Sequence, residues 1–97
     1  METFTSYTQF TAATSSTALT DASNGINTTE TKAKEVIIQA DNDNSGYIMV
    51  GGGEAIADTK GIRINAGDTL ILPVADISNI YLDASAGSQT VNVSIIK

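Results

Sequence analysis

The stretch GIRINAGDTLILPV, which runs from Gly61 to Val74, predicts two β-strands joined by a tight turn. Apolar residues occupy alternate positions on both sides of the turn, and a period of two places them on one face of a sheet. The intervening Asn-Ala-Gly-Asp combines side chains that cap turns with a glycine that accepts positive φ. The core-facing residues predicted in this stretch are Ile62, Ile64, Leu70, Leu72 and Val74.

The same pattern of short apolar runs and turn residues extends over residues 33–97, at spacings of about ten residues that are typical of antiparallel sandwiches and barrels. No helical period runs long enough to predict a helix. Pro73 cannot donate a hydrogen bond to a neighbouring strand, so its strand is expected at a sheet edge or with a bulge. The predicted strands are Glu35–Ala40, Tyr47–Val50, Gly61–Asn65, Thr69–Val74, Asn79–Asp83 and Thr90–Ile96. We therefore expect an all-β fold, a small antiparallel β-sandwich or jelly-roll-like barrel.

Residues 1–32 have a different composition, because ten threonines and four serines crowd a stretch with few large apolar side chains. Such a segment buries too little to offset the cost of ordering its backbone, about 1 to 2 kcal/mol per residue. Its threonines favour extended conformations, and Phe4, Tyr7 and Phe10 are candidate anchors. We expect an extended N-terminal arm (1–32) that orders on a neighbour, followed by the β-sandwich domain (33–97).

Alternation in the predicted strands also leaves apolar side chains on the face opposite the core. The predicted core contains further inward-facing residues besides those between Gly61 and Val74: Ile80, Leu82, Val91, Val93 and Ile95. The opposite face then carries the polar Arg63, Asp83, Asn92 and Ser94, together with the apolar Ile37, Ile71, Tyr81 and Ile96; Ile37 belongs there if Val36 and Ile38 face inward. Because a small domain gains stability by covering such side chains, self-association is expected.

The overall composition argues against most enzymatic and nucleic-acid-binding roles. The 97 residues include no histidine and no cysteine, which removes the commonest general base, the usual zinc ligands and any disulfide. A net charge of −6 repels a phosphate backbone. Apolar runs of three residues are far shorter than the ~20 that span a bilayer. The opening Met1-Glu2-Thr3-Phe4 does not resemble a signal peptide, so synthesis in the cytoplasm is expected.

Four sets of residues suggest chemistry, but each is incomplete. Asp41, Asp43 and Ser45, followed by Gly46, resemble the first half of a calcium loop, yet position twelve is Gly52 instead of glutamate. Gly51-Gly52-Gly53 lacks the Gly-Lys-Ser/Thr ending of a phosphate loop. The carboxylates of Asp58, Asp68, Asp76 and Asp83 are expected at turns or in solvent, and Tyr47 and Tyr81 offer a sparse platform for a sugar. We predict no catalytic residue, no cofactor and no metal site, with calcium at Asp41, Asp43 and Ser45 left open.

A recurring order of strands and turns extends over the segment from Val36 to Ile96. A glycine-initiated strand leads into an Asn-Ala-Gly-Asp turn, and an Ile-Tyr-Leu strand follows. The residues that carry this pattern are Val36–Asp41, Gly46–Gly52, Gly61–Leu70 and Val74–Leu82. In these residues the segment resembles a small β-domain of tailed-bacteriophage structural proteins, such as head decoration, head-fibre and accessory virion proteins. Ala66 stands where that pattern usually has proline.

This resemblance implies a chemically inert virion protein, made in the host cytoplasm and then assembled into the particle. It implies a homo-oligomer, often a homotrimer, which decorates the capsid or anchors a head fibre by binding the major capsid protein, with no nucleic-acid or membrane partner. A small β-sandwich that binds a carbohydrate or a cell surface is the alternative.

Overall fold

The computed structural model describes residues 2–21, 26, 32–53 and 60–97, and in these residues the protein is all-β without a helix. The expected all-β, sandwich-like fold is confirmed: antiparallel strands form two sheets that enclose an apolar core. The strands are β1 (Phe4–Ser6), β2 (Phe10–Thr11), β3 (Thr17–Ala18), β4 (Glu35–Ala40), β5 (Ile48–Gly52), β6 (Ile62–Ile64), β7 (Thr69–Leu72), β8 (Ile80–Ala84) and β9 (Thr90–Ile96).

The two sheets are built around long central strands. Sheet A has the order β1, β9, β4, β7, with β2 following β1 along the same edge of β9. Sheet B has the order β3, β8, β5, β6. The core lies between them because β4 and β9 alternate buried and half-buried residues, as strands with one covered face do. Their inward side chains are Val36, Ile38 and Ala40 from β4 and Val91, Val93 and Ile95 from β9.

The predicted bounds of β4 and β9 are confirmed, and the other four predicted strands differ by one or two residues at one or both ends. The largest difference is in β5, which continues through two residues of the glycine triplet instead of ending before it. Gly51 pairs with Tyr81 and Gly52 pairs with Ile80. Gly53, with a φ of 94°, ends the strand. The triplet therefore contributes to the ladder as well as to the turn.

The N-terminal segment differs from the expected arm, because three short strands within it pair with strands of the chain's own sheets. β1 and β2 pair with β9, and β3 pairs with β8. Leu19 and Ile26 are fully buried in the core, and Ala12 is 3% exposed. Short strands of two or three residues show no sustained period, so alternation in the sequence did not reveal them. The remaining residues of 1–32 lie outside the described part of the chain.

The start of this segment is also joined to the end of β9. Thr3 donates its backbone N–H to Lys97 O at 3.1 Å, and Lys97 donates its own to Thr3 O at 2.9 Å. Tyr7 and Ala12 donate further backbone bonds to β9 and to the residue before it. Residues 3–12 therefore follow one edge of β9 along its whole length.

The stretch from Gly61 to Val74 forms β6, a tight turn and β7, but its two strands belong to different sheets. In the turn, Asp68 donates its N–H to Asn65 O at 2.9 Å, and Gly67 has a φ of 84°. β7 lies at the edge of sheet A and ends at Leu72, which confirms the edge position expected from Pro73. The backbone thus turns a corner from one sheet to the other at residues 65–68.

The apolar residues of these two edge strands are less buried than expected. Ile64 is buried, but Ile62 is 47% exposed, and Leu70 and Leu72 are half-buried. Each edge strand has a neighbour on one side only, so the sheets cover its side chains incompletely. The space between the sheets consequently stays open beside Ile62.

Gly61 is the glycine where an added side chain should be most costly. Its φ is 90°, and a Cβ built on it would lie 2.6 Å from the backbone oxygen of Val50. We expect Gly61→Ala to lower the free energy of unfolding by about 2 kcal/mol, through left-handed strain and the close contact. Urea denaturation measures the change. Gly87→Ala is the control, since nothing lies within 4 Å of its Cβ, and equal losses in both variants would contradict the argument.

Candidate association surface

Four apolar side chains collect on the outer surface of sheet A, and we call them the apolar patch: Phe4, Ile37, Ile71 and Ile96. Phe4 pairs with Ile96 between β1 and β9, and Ile37 pairs with Ile71 between β4 and β7. Ile96 and Ile37 are diagonal neighbours, because Ile96 pairs with Glu35 two residues before Ile37. Cross-strand and diagonal neighbours are within reach of large side chains, so the patch crosses all the strands β1, β9, β4 and β7.

The patch is substantially open to solvent. Phe4 is 64% exposed and Ile71 is 56% exposed, while Ile37 and Ile96 are half-buried. Of the predicted outer apolar residues, Ile37, Ile71 and Ile96 therefore share one surface, whereas Tyr81 lies on the outer surface of sheet B. The contribution of Phe4 was not predicted, because its pairing with β9 could not be read from the sequence.

Little charge accompanies the patch, although the chain carries −6 overall. Among the outward-facing positions of the described strands of sheet A, Glu35 is the only charged residue. At the margin, Lys34 Nζ lies 3.2 Å from Glu2 Oε1, with both side chains well exposed. An exposed ion pair of this kind contributes ~0 to 1 kcal/mol to the stability of the fold. The outer surface of sheet A is therefore nearly neutral.

A second feature is an apolar groove at the open end of the sandwich, of about 380 Å³. Its walls include Val50 and Ile80 from sheet B, Leu72 at the end of β7, and the exposed Ile62. Asp76 is at its edge, where its carboxylate accepts hydrogen bonds from the Ser78 N–H and from Lys32 Nζ, both at 2.9 Å. The groove can accommodate an apolar group, but it holds no arrangement of acids and bases suited to catalysis in the described residues.

The loop that resembles half a calcium site is held by hydrogen bonds to β9 and the residue before it. Asn44 donates to Thr90 O at 3.0 Å and accepts from the Thr90 N–H at 2.7 Å. Ser45 Oγ accepts from Gln89 Nε2 at 3.1 Å, and Asp41 Oδ2 accepts from the Asp43 N–H at 3.4 Å. In the described part of the chain, no three or more acidic, histidine or cysteine residues are grouped to hold a metal ion.

Gln89 is the buried polar residue that joins this loop to the next one. Its side chain is fully buried, and its Oε1 accepts from the Gly46 N–H at 2.8 Å. Its Nε2 donates to Gly87 O at 2.9 Å as well as to Ser45. This role could not be predicted from the sequence, because a single glutamine before a strand has no distinguishing pattern.

The remaining candidate residues are separated from one another. Asp68 Oδ2 accepts from the Asn65 N–H at 2.8 Å within its turn, and Asp83 lies on β8 opposite Met49. Asp58 lies outside the described residues.

The two tyrosines considered as a sugar platform, Tyr47 and Tyr81, do not lie side by side. Tyr81 pairs with Gly51, which is four residues or ~13 Å along the strand from Tyr47. The guanidinium of Arg63 covers the Tyr47 ring at 3.8 Å from its centroid.

Comparison with known proteins identified no relative of this chain. The sequence matches no protein-family model, and neither a curated protein nor a solved structure matches it. Within the residues that the structure describes, no helix has the length and apolar character needed to cross a membrane. The apolar patch and the groove are therefore the features on which a function can be argued.

Proposed function

We propose that this chain is a non-enzymatic structural protein of a tailed-bacteriophage virion. In this proposal it is a homo-oligomeric capsid decoration or head-fibre-anchoring protein that is made in the host cytoplasm and binds the lattice of the major capsid protein. The observation that carries the proposal is the apolar patch, with Phe4 and Ile71 each more than half exposed on a nearly neutral sheet. A surface of this kind is suited to being covered by protein.

The resemblance to phage β-domains supports the same role. Two of the stretches that carry this resemblance are Gly61–Leu70 and Val74–Leu82. The first forms β6, the tight turn and the start of β7, and the second leads into β8. Asp68 and Asp76 each accept a hydrogen bond from a backbone N–H of their own turn, as expected of residues that stabilise a scaffold. Attachment would be multivalent, because many weak contacts on a repeating shell sum to firm binding.

Mass spectrometry of purified particles tests this role. We expect the polypeptide in virions of the phage that encodes it, in a fixed ratio to the major capsid protein, and its gene among the capsid, portal and tail genes. Particles washed in high salt serve as the control for adsorbed host protein. Absence of the chain from washed particles would refute the proposal.

The apolar groove favours a second candidate, a small ligand-binding module for a carbohydrate or a cell surface. Its volume of about 380 Å³ lies within the range of small-molecule sites. This candidate predicts a monomer that binds specific glycans on an array, with calcium raising its melting temperature if Asp41, Asp43 and Ser45 take part. An oligomer with no glycan binding would count against it.

A further inference from the structure

We infer that the apolar patch is the contact between copies of this chain, so that the patch of one copy meets the same patch of another. This inference rests on the proposed homo-oligomeric function and names the surface that forms the oligomer. Under this inference, the shell is bound by a different part of the molecule. Three features of the molecule support this contact: the low charge of the outer surface of sheet A, the protected edges of the sheets and the size of the patch.

Charge favours the outer surface of sheet A as the place where two copies can approach. Two chains of charge −6 repel each other, and the repulsion is smallest where charged side chains are fewest. On sheet A, the outward neighbours of the patch include the uncharged Ser6, Ser94 and Asn92. Glu35, which pairs with Ile96, is the one charged residue among the outward positions of the described strands. The outer surface of sheet B carries Arg63 and Asp83, so it does not match an apolar partner.

The edges of the sheets are protected against pairing with another chain. β7 has four residues and is followed by Pro73, and β6 has three residues. Short edge strands and proline are devices that prevent a further strand from adding to a sheet. Association through the outer surface of sheet A avoids these edges, and it covers Phe4 and Ile71 without requiring new backbone hydrogen bonds.

The size of the patch sets the expected strength of the contact. Four strands at about 4.8 Å spacing and six residues at about 3.3 Å give a surface of roughly 20 by 20 Å, about 400 Å² in projection. A standard interface buries about 800 Å² on each partner. The patch offers about half of that area, so we expect weak, transient self-association in solution, strengthened when copies are held side by side on a shell.

The first test compares Ile71→Lys with Ala86→Lys by sedimentation velocity at 1 to 500 μM. Both variants make the same charge change, and Ala86 lies in the exposed loop before Gln89. The added lysine makes the net negative charge of the chain smaller, so charge alone would favour association. We expect Ile71→Lys to weaken self-association at least tenfold and Ala86→Lys to leave it unchanged. A monomeric wild-type chain, or equal association of both variants, would overturn the inference.

The second test uses the absence of cysteine from the chain. Ser94→Cys places a thiol on β9 beside Ile37, at the centre of the outer surface of sheet A. We expect this variant to form disulfide-linked dimers under mild oxidation, and the control Ala86→Cys to form none. Equal cross-linking of both variants would indicate random collision and would overturn the inference.

Binding of the same Ile71→Lys variant to isolated shells separates this inference from the proposed function. If the inference is correct, the variant still binds shells at saturating concentration. If wild-type protein is monomeric and Ile71→Lys abolishes shell binding, the patch contacts the shell: the inference then fails and the virion role stands. If the patch forms oligomers but the chain is absent from particles, the virion role fails.

Discussion

Replacing Leu19 by alanine is expected to lower the free energy of unfolding by about 3 kcal/mol, a large part of the ~5 to 10 kcal/mol of a domain this size. Leu19 is fully buried, and its backbone N–H donates to Ile80 O at 2.8 Å, next to β3. The substitution leaves a cavity between the sheets that the fixed strands cannot close. The chain has tyrosines but no tryptophan. Urea denaturation followed by tyrosine fluorescence or circular dichroism therefore measures the loss.

Thr8→Ala is the control for Leu19→Ala, because Thr8 is an exposed residue of the same segment, between β1 and β2. We expect it to change stability by less than about 0.5 kcal/mol. A similarly small effect of Leu19→Ala would show that the N-terminal segment does not contribute to the core. The same packing predicts that a chain starting at Ala33 does not fold, since it lacks β1, β2 and β3 as well as Leu19.

Replacing Gln89 by alanine is expected to lower the free energy of unfolding by about 2 to 4 kcal/mol. The change removes three hydrogen bonds and leaves the Gly46 N–H and the Gly87 carbonyl without their side-chain partner in a part-buried position. An unsatisfied buried group costs about 1 to 3 kcal/mol, more than a hydrogen bond contributes when both partners are present. Thermal and urea denaturation provide the measurement.

Ser45→Ala is the matched comparison, because it removes one of the Gln89 hydrogen bonds from a more exposed residue. We expect it to cost about 1 kcal/mol or less. If Ser45→Ala destabilised the protein as much as Gln89→Ala, the loop would depend on Ser45 and not on the buried amide.

The central strands of sheet A could be predicted from the sequence for two different reasons. β9 alternates apolar and polar residues, whereas β4 is a short apolar run of β-branched residues whose alternation is seen only in its burial. The ends of β5 and β6 were less predictable, since glycine carries no side chain to reveal a face. The strands β1, β2 and β3 were not predicted at all, because two or three residues with threonine in them fit a strand or a loop equally well.

The candidate surface was predictable only in part. Alternation placed Ile37, Ile71 and Ile96 outside the core, but it could not show that all three lie on sheet A while Tyr81 lies on sheet B. That division depends on which strands pair, and strand pairing is set by contacts between residues distant in sequence. Phe4 and the groove beside Ile62 depend on the same pairing, so neither could be identified in advance.

The pairing of residues 3–12 with the far end of the chain has a consequence for biosynthesis. The partners of β1 and β2 are in β9, more than 75 residues later, and the partner of β3 is in β8. These three strands thus have no native strand partner until β8 and β9 have been synthesised. Contacts of such high sequence separation slow folding. We expect the native sheets to form only after β9 is available, over milliseconds to seconds, with the N-terminal strands docking late.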